Sequence, residues 1–342
     1  MTGRGGDSGA GRNRHGRAAR WGALSVVGAS VLWGTTGTAA TLAPAVSPLA
    51  IGAAAMGVGG LLQALYAGRA IAGHRFHIGA RWRLVALGAV AVAVYPLAFY
   101  SSMRLSGVAV GTVVSIGSAP IAAALIERFA DRKPLTRRWT AGALLGISGA
   151  ALLSFSGHAP AGIPVPGGPS SPWGTTAGIA LGLLAGGTYA LYSWAAHRLI
   201  GGGISSRAAM GAVFGLGGLM LMPVLALTGA PLLASWTNFS VGAYMAVVPM
   251  FAGYVLFGWG LARTGASTAT SISLLETVVA AVLAVLVVGE RLPAPAWLGA
   301  AVVLGSLFIL TPGRERAAGP TATPRELPGS PKRPEPAQSA TS

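Results

Sequence analysis

The chain contains no cysteine and few acidic residues. Without a cysteine among its 342 residues, it cannot form a disulfide framework, a thiol nucleophile or a thiolate metal site. Asp and Glu number 8 against 24 Lys and Arg, and charged residues make up only 9% of the chain, whereas 53% are hydrophobic. No Gly-x-x-x-x-Gly-Lys-Ser/Thr sequence occurs, which disfavours ATP-driven transport by this chain. Such an apolar composition indicates a polytopic membrane protein rather than a soluble domain.

Long uncharged runs predict the membrane-spanning helices. The runs 21–68 and 139–197 are too long for one span of about 20 residues, and the turn-rich segments Pro44–Pro48 and Ser156–Pro172 divide them. The predicted fold is an all-α membrane protein with ten transmembrane helices, near 21–43, 48–68, 82–103, 107–128, 137–156, 173–197, 205–228, 239–262, 264–289 and 294–312.

The basic residues fall in alternate connections between these helices. A formal net charge of +16 is also typical of nucleic-acid-binding proteins. However, if the N-terminus is cytoplasmic, all but Arg104 and Arg291 of the 24 Lys and Arg lie on the cytoplasmic side, as the positive-inside rule requires. This placement predicts a multi-pass protein of the cytoplasmic membrane with both termini cytoplasmic, and it argues against nucleic acid as a partner.

The two ends of the chain differ from the apolar centre. Residues 1–20 are rich in Gly and Arg and residues 313–342 in Pro, Ser and charge, so both are predicted to be disordered cytoplasmic tails. The first apolar segment is longer than the core of a secretory signal and is interpreted as a retained helix. Residues 157–172 are predicted to form a periplasmic or extracellular loop.

The central region contains a weak internal repeat. Trp33 corresponds to Tyr189 after a shift of 156 residues, and Trp139 to Trp297 after a shift of 158. The halves 21–156 and 173–312 each hold five predicted helices, and an odd number places the second half in the membrane upside down. Inverted repeats of this kind typically hold a substrate site near the membrane midplane, where the halves meet.

Glu276 is the main candidate for a functional residue, because it lies midway along the apolar run 264–289. A charged group at that depth costs about 2.5–3.5 kcal/mol and usually faces a bundle interior or watery cavity. Thr270, Ser273 and Thr277 share its helix face. One hypothesis is that this polar stripe contacts substrate, with Glu276 pairing an amine or exchanging a proton. The alternative is that the hydroxyls bond their own helix and Glu276 is structural.

Four deep aromatic residues are further candidates for the substrate site. Trp33, Tyr95, Tyr189 and Tyr254 suit a pocket wall, although aromatic residues within helices also serve packing. Another candidate is the neighbouring pair of Glu290 and Arg291, which is interpreted as a helix-terminal ion pair and a candidate gate. The spacing of His74 and His77 is a weak metal-binding pattern, so no metal site and no cofactor are predicted.

Several segments resemble the EamA-type transporters of the drug/metabolite transporter superfamily. The run Leu274–Leu292 with Trp297–Gly305 is similar to the closing helices of that family, and Ser118–Ile121 with Trp139–Gly142 is similar to the same part of its first repeat. The resemblance implies two inverted EamA repeats, 21–156 and 173–312, around a central cavity. This chain has Glu276-Thr277 where the family often has Glu-Pro, which removes an expected helix kink, and Asp131-Arg132-Lys133 where a Glu often follows helix 4.

The predicted function is secondary transport of a small metabolite, such as an amino acid or a drug-like solute, out of the cell by alternating access between the repeats. The partners are then the small-molecule substrate and the lipid bilayer, and a homodimer is compatible with the sequence. The chain is predicted not to be an enzyme. The alternative is a polytopic membrane enzyme or translocase acting on a lipid-linked substrate, which usually needs at least two converging polar groups.

Overall fold

The computed structural model describes residues 7–106, 108–157, 172–289 and 292–310, and every regular element within these ranges is helical. The helices are α1 Asp7–Gly34, α2 Thr36–Ala40, α3 Pro48–Gly52, α4 Gly59–Gly73, α5 Arg75–Ala80, α6 Trp82–Ser106, α7 Val108–Ala130, α8 Arg137–Gly157, α9 Pro172–Gly201, α10 Ser206–Thr228, α11 Trp236–Met245, α12 Gly253–Thr264, α13 Ala266–Ile272, α14 Leu275–Leu283 and α15 Ala294–Leu310. A 3₁₀ turn (Ala230–Leu233) precedes α11, and π-helical turns continue three of the helices at Ala53–Val58, Ala246–Ala252 and Ala284–Val288.

Eight helical segments are long and apolar enough to cross a bilayer, and they correspond to the predicted helices 1–4 and 6–9. They are Ala18–Ala40, Pro48–Gly73, Trp82–Ser106, Val110–Ala130, Trp173–Gly201, Ser206–Thr228, Trp236–Thr264 and Ala266–Val287. The fifth and tenth predicted helices are present as α8 and α15. The 17 residues of α15 rise only about 26 Å, less than a hydrocarbon core of about 30 Å. The all-helical class is therefore confirmed, whereas the count of ten spans stays a prediction.

Helix boundaries differ from the predicted ones at two places. α1 begins at Asp7, so helix extends into the segment that was predicted to be a disordered tail. The predicted helix 264–289 is divided, because α13 ends at Ile272 and α14 begins at Leu275. The predicted tail 313–342 and most of the predicted loop 157–172 lie outside the described residues.

The helices pack in pairs that repeat between the two halves. α1 lies along α12, and its counterpart five spans later, α9, lies along α6. Likewise α4 packs on α10 and α8 on α15, and each of these pairs joins equivalent helices of the two halves. This exchange of partners is the packing expected of a duplicated five-helix unit.

Contacts at one end of the bundle show that the halves run in opposite directions. Trp21 near the start of the first span lies in the same crevice as Ser206, the first residue of α10. Just before α10, the end of α9 is held to the start of α6, because Arg81 Nη1 donates to the carbonyl oxygen of Gly202 at 2.7 Å. The first span therefore starts, and its counterpart α9 ends, at the same end of the bundle, so the two halves run in opposite directions. This end is called the basic end, after Arg20, Arg69, Arg81, Arg198, Arg207 and Arg263.

Small residues set the distance between α6 and α9, which both contribute to the central cavity. A Cβ added at Gly178 would lie 2.7 Å from the backbone nitrogen of Ser106, and one at Gly182 would lie 2.9 Å from Ser102 Oγ. The hydroxyl of Ser102 donates to the carbonyl of Gly178 at 2.7 Å. Glycine at these positions thus lets the two backbones approach closely.

Candidate functional site

A narrow cavity lies between the two repeats. Its free volume is about 50 Å³, which is room for a few water molecules and well below the roughly 300–1,000 Å³ of typical small-molecule sites. In this conformation, a metabolite can enter only if the walls move. The lining residues come from both halves and are Trp33, Thr36, Gly52, Ala55, Met56, Tyr95, Pro96, Phe99, Tyr100, Tyr189, Met250, Tyr254 and Glu276.

Glu276 lines this cavity from the first turn of α14. Its side chain is half-buried, and its carboxylate has no hydrogen-bond or ion-pair partner among the described residues. An ionised carboxylate without a partner is costly inside a bilayer. A proton or a cationic group of a ligand removes that cost, so this position favours one or the other.

The helix that carries Glu276 is interrupted just before it, although no proline is present. Around Ser273 and Leu274 the backbone hydrogen bonds span three residues, as in a 3₁₀ helix. Glu276 N donates to the Ser273 carbonyl at 3.0 Å and Thr277 N to the Leu274 carbonyl at 3.2 Å. The Thr277 hydroxyl also donates to the Leu274 carbonyl, at 2.7 Å. Serine and threonine that bond to their own helix in this way bend it. The helix is therefore interrupted here even though Thr277 stands where the family often has proline. The prediction that the missing proline removes the interruption was wrong.

The predicted polar stripe divides in the structure. Glu276 reaches the cavity, but the other three hydroxyl residues do not line it and are buried. Thr270 donates to the Ala266 carbonyl at 2.9 Å and Ser273 to the Thr270 carbonyl at 2.8 Å. These contacts match the structural alternative for the hydroxyls. These three residues do not line the cavity, and their part in substrate binding stays a prediction.

The four predicted aromatic residues come together around the cavity. The ring of Trp33 lies 4.8 Å from that of Tyr254 and 6.3 Å from that of Tyr189, and Tyr95 lies 5.6 Å from Tyr189. Trp33 Nε1 donates to the Pro249 carbonyl at 2.9 Å, which ties the first span to the turn before α12. Trp33 and Tyr189 are also the residues that the repeat places opposite each other.

Ser273 supports this wall although it does not line the cavity. The Tyr189 hydroxyl donates to Ser273 Oγ at 2.9 Å. Because Ser273 lies directly before the interrupted turn, this bond couples the position of the aromatic ring to the segment that presents Glu276. Ser273 therefore contacts the aromatic wall from behind, and its role in the site stays a prediction.

The cavity is closed towards the basic end by a packed layer of rings. Tyr192, Phe214 and Phe257 are fully buried and lie closer to the basic end of their helices than the cavity residues Tyr189 and Tyr254. The hydroxyls of Tyr192 and Tyr254 are 2.7 Å apart, and the rings of Phe214 and Tyr254 are 4.4 Å apart. These buried rings therefore separate the cavity from the basic end in the present conformation.

A second closure, which the sequence analysis overlooked, is made by Glu127 at the end of α7. Its side chain is 8% exposed, and its carboxylate accepts bonds from the backbone nitrogen of Ala266 at 3.1 Å and from Ser267 Oγ at 2.6 Å. These two residues begin α13, directly after Gly265, whose φ of +104° favours glycine. Glu127 thus satisfies a free donor at the start of α13. In the sequence it adjoins Arg128 at the end of the predicted helix 107–128 and resembles an ordinary charge at a helix end.

Asp131 extends the same closure to α9. Its carboxylate accepts from Trp194 Nε1 at 3.0 Å and forms an ion pair with Arg198. Lys133, in the connection after α7, lies 3.4 Å from Glu127. Glu127 and Asp131 together hold the basic ends of α7, α9 and α13 in contact. The predicted gate residues Glu290 and Arg291 lie outside the described residues, so their role stays a prediction.

Comparison with known proteins gives consistent results. A family model described as the EamA-like transporter family matches the chain twice, over residues 20–155 and 176–311. The chain is 32% identical over 301 residues to the uncharacterized transporter YwfM of Bacillus subtilis (strain 168), which covers 86% of this chain and 96% of that protein. A protein of known crystal structure matches with a TM-score of 0.66 over 85% of this chain and 96% of its own, and at 18% identity that match supports the fold alone.

Proposed function

Because the chain belongs to the EamA-like transporter family, we propose that this multi-pass membrane transporter is a secondary carrier of a small metabolite across the cytoplasmic membrane. The observation that carries the proposal is the unpartnered carboxylate of Glu276 in a cavity between two inverted repeats. Sites of this kind in other secondary transporters lie at the interface of their repeats. Both the predicted repeat and the family membership support it.

The cavity favours a substrate that combines an apolar part with a cationic or polar group. Trp33, Tyr95, Tyr189 and Tyr254 supply ring faces, which attract cations as well as apolar groups. Glu276 supplies the only acidic group among the described lining residues. An amine substrate would pair with this carboxylate directly, whereas a substrate exchanged for a proton would compete with the proton for it.

The proposed topology has ten spans with both termini in the cytoplasm. It adds α8 and α15 to the eight segments of sufficient length, because these two helices pack against each other and are apolar. The basic end then faces the cytoplasm, as the positive-inside rule predicts. Net movement is proposed to be export, and a homodimer is compatible with this topology.

The proposed cycle alternates between a state that is closed at the basic end and a state that is closed at the opposite end. In the present conformation the buried rings of Tyr192, Phe214 and Phe257 close the basic end, which is cytoplasmic in the proposed topology. The cavity residues Thr36, Gly52 and Tyr100 lie towards the other end of their spans. For the substrate to enter from the cytoplasm, this ring layer must separate, together with the contacts of Glu127 to the start of α13. Rocking of one repeat against the other would achieve both movements.

Substrate flux in proteoliposomes tests the proposal. Wild-type protein is compared with Glu276→Gln across a panel of amines, amino acids and drug-like solutes, with and without an imposed pH gradient. Ser271→Ala is the matched control, because Ser271 is buried on the same span, bonds to its own helix and does not line the cavity. We expect Glu276→Gln to lose gradient-driven flux and Ser271→Ala to retain it. Equal flux in both variants would refute the role of Glu276.

A further inference from the structure

A crevice at the basic end is separate from the central cavity. Its volume is about 470 Å³, within the range of small-molecule sites. It is formed by the start of the first span, the end of α4, the start of α10 and the end of α12. Several of its side chains lie on the outside of the bundle, where Trp21 is 57% exposed, Tyr66 49% and Trp259 39%. The crevice is therefore open towards the surrounding lipid.

The crevice carries positive charge, and no carboxylate among the described residues balances it. Arg207 lines the crevice and lies 5.0 Å above the Tyr66 ring, and Arg263 lies 3.6 Å above the neighbouring Trp259 ring. Neither guanidinium forms an ion pair within the described part of the chain. The carboxylates of Glu127 and Asp131 are already bonded elsewhere.

The walls of the crevice fit an acyl chain better than a free anion. Met210, Val255 and Leu256 are apolar, and Trp21 and Trp259 add large ring surfaces. Gln63 is 2% exposed yet lines the crevice. Within the described ranges its amide makes only one contact, a long one of 3.5 Å to the Met250 carbonyl. A buried amide with spare bonding capacity suits the polar glycerol and ester region of a lipid.

A second cleft shows which of these features are specific to this site. It lies between α4, α10 and α11, has a volume of about 720 Å³, and is lined only by Gly and apolar residues such as Leu62, Leu225 and Phe239. It offers no group for a charged head group. The crevice at Arg207 differs in joining an apolar wall to an unpaired cation at the bundle surface.

We propose that the crevice between the first span, α4, α10 and α12 binds an anionic phospholipid. The phosphate of the head group lies against Arg207, the glycerol and ester region reaches Gln63, and one acyl chain lies along Val255 and Leu256. Basic pockets between transmembrane helices are a general form of anionic-lipid site. The bound lipid joins helices of both repeats, so its occupancy stabilises their packing independently of the solute in the central cavity.

Native mass spectrometry of the full-length protein, titrated with phosphatidylglycerol or phosphatidylcholine, tests this site directly. We expect the wild-type protein to bind one phosphatidylglycerol in preference to phosphatidylcholine. Arg207→Ala should weaken phosphatidylglycerol binding about fivefold, the effect of one basic residue near anionic lipid, and should reduce the preference over phosphatidylcholine. Arg207→Lys should retain the preference.

Arg83→Ala is the matched control, because Arg83 lies 5.8 Å above the Trp82 ring and does not line the crevice. Equal binding of the two lipids by the wild-type protein would overturn the proposal, whatever the variants do. An equal loss in Arg83→Ala would also overturn it, since any surface arginine would then suffice. Inorganic phosphate that displaces phosphatidylglycerol at similar concentration would show a simple anion site instead of a lipid site.

Discussion

Replacing Glu127 with alanine should open the basic end of the protein. The substitution removes the acceptor for Ala266 N, at 3.1 Å, and for Ser267 Oγ, at 2.6 Å. Hydrogen bonds to charged groups contribute about 1.5–3 kcal/mol each, and a buried donor left without a partner costs a further penalty of similar size. Two such bonds at the lower value already amount to about 3 kcal/mol. The closed conformation should therefore lose at least this amount relative to a conformation in which α7 and α13 have separated.

The size of this effect can be worked out for the two conformations. A loss of about 3 kcal/mol changes their ratio about 100-fold, because each 1.4 kcal/mol corresponds to a factor of ten. Lys133→Ala is the control, since it removes only the ion pair to Glu127, and the Lys133 side chain is 47% exposed. Exposed ion pairs contribute about 0–1 kcal/mol, so this variant should change the ratio no more than about fivefold.

The absence of natural cysteine makes the assay simple. A cysteine introduced at Ser271, which is fully buried, would be the only thiol of the protein, and its rate of maleimide labelling reports how often the basic end opens. We expect labelling to rise at least tenfold in Glu127→Ala and little in Lys133→Ala. An unchanged rate in Glu127→Ala that still folds, as judged by its thermal unfolding, would refute the assignment of Glu127 to the closure.

Two further predictions concern stability. Trp33→Phe retains an aromatic ring but removes the Nε1 donor that lies 2.9 Å from the Pro249 carbonyl. The unfolding free energy should fall by about 1–3 kcal/mol, and the midpoint of thermal unfolding in detergent should fall with it. An unchanged midpoint would contradict this prediction. Gly186→Ala should lower the yield of monodisperse protein, because a Cβ there would lie 2.5 Å from the Ser115 carbonyl. Gly187→Ala is the control, since nothing lies within 4 Å of a Cβ at that position. Equal yields of the two variants would count against close packing at Gly186.

The candidate site was only partly predictable from the sequence. Glu276 could be identified, because a single acidic residue in a long apolar run stands out without any knowledge of its neighbours. The aromatic wall could be proposed because Trp33, Tyr95, Tyr189 and Tyr254 lie deep within apolar helices, where aromatic residues suit a pocket wall. Which hydroxyls face the cavity could not be predicted, because Ser273 and Thr277 bond their own helix and the interrupted turn rotates them relative to an ideal helix.

The sequence by itself determined the membrane class and the approximate helix positions, because hydropathy and charge placement depend on residues close together in the chain. It also showed the duplication, because similar segments recur after 156–158 residues. Only the tertiary structure decided how the cavity is closed. Glu127 lies 139 residues from Ala266, which it holds, and Trp33 lies 216 residues from Pro249. Contacts over such separations arise from helix packing, and the short polar pattern around each residue does not reveal its partner.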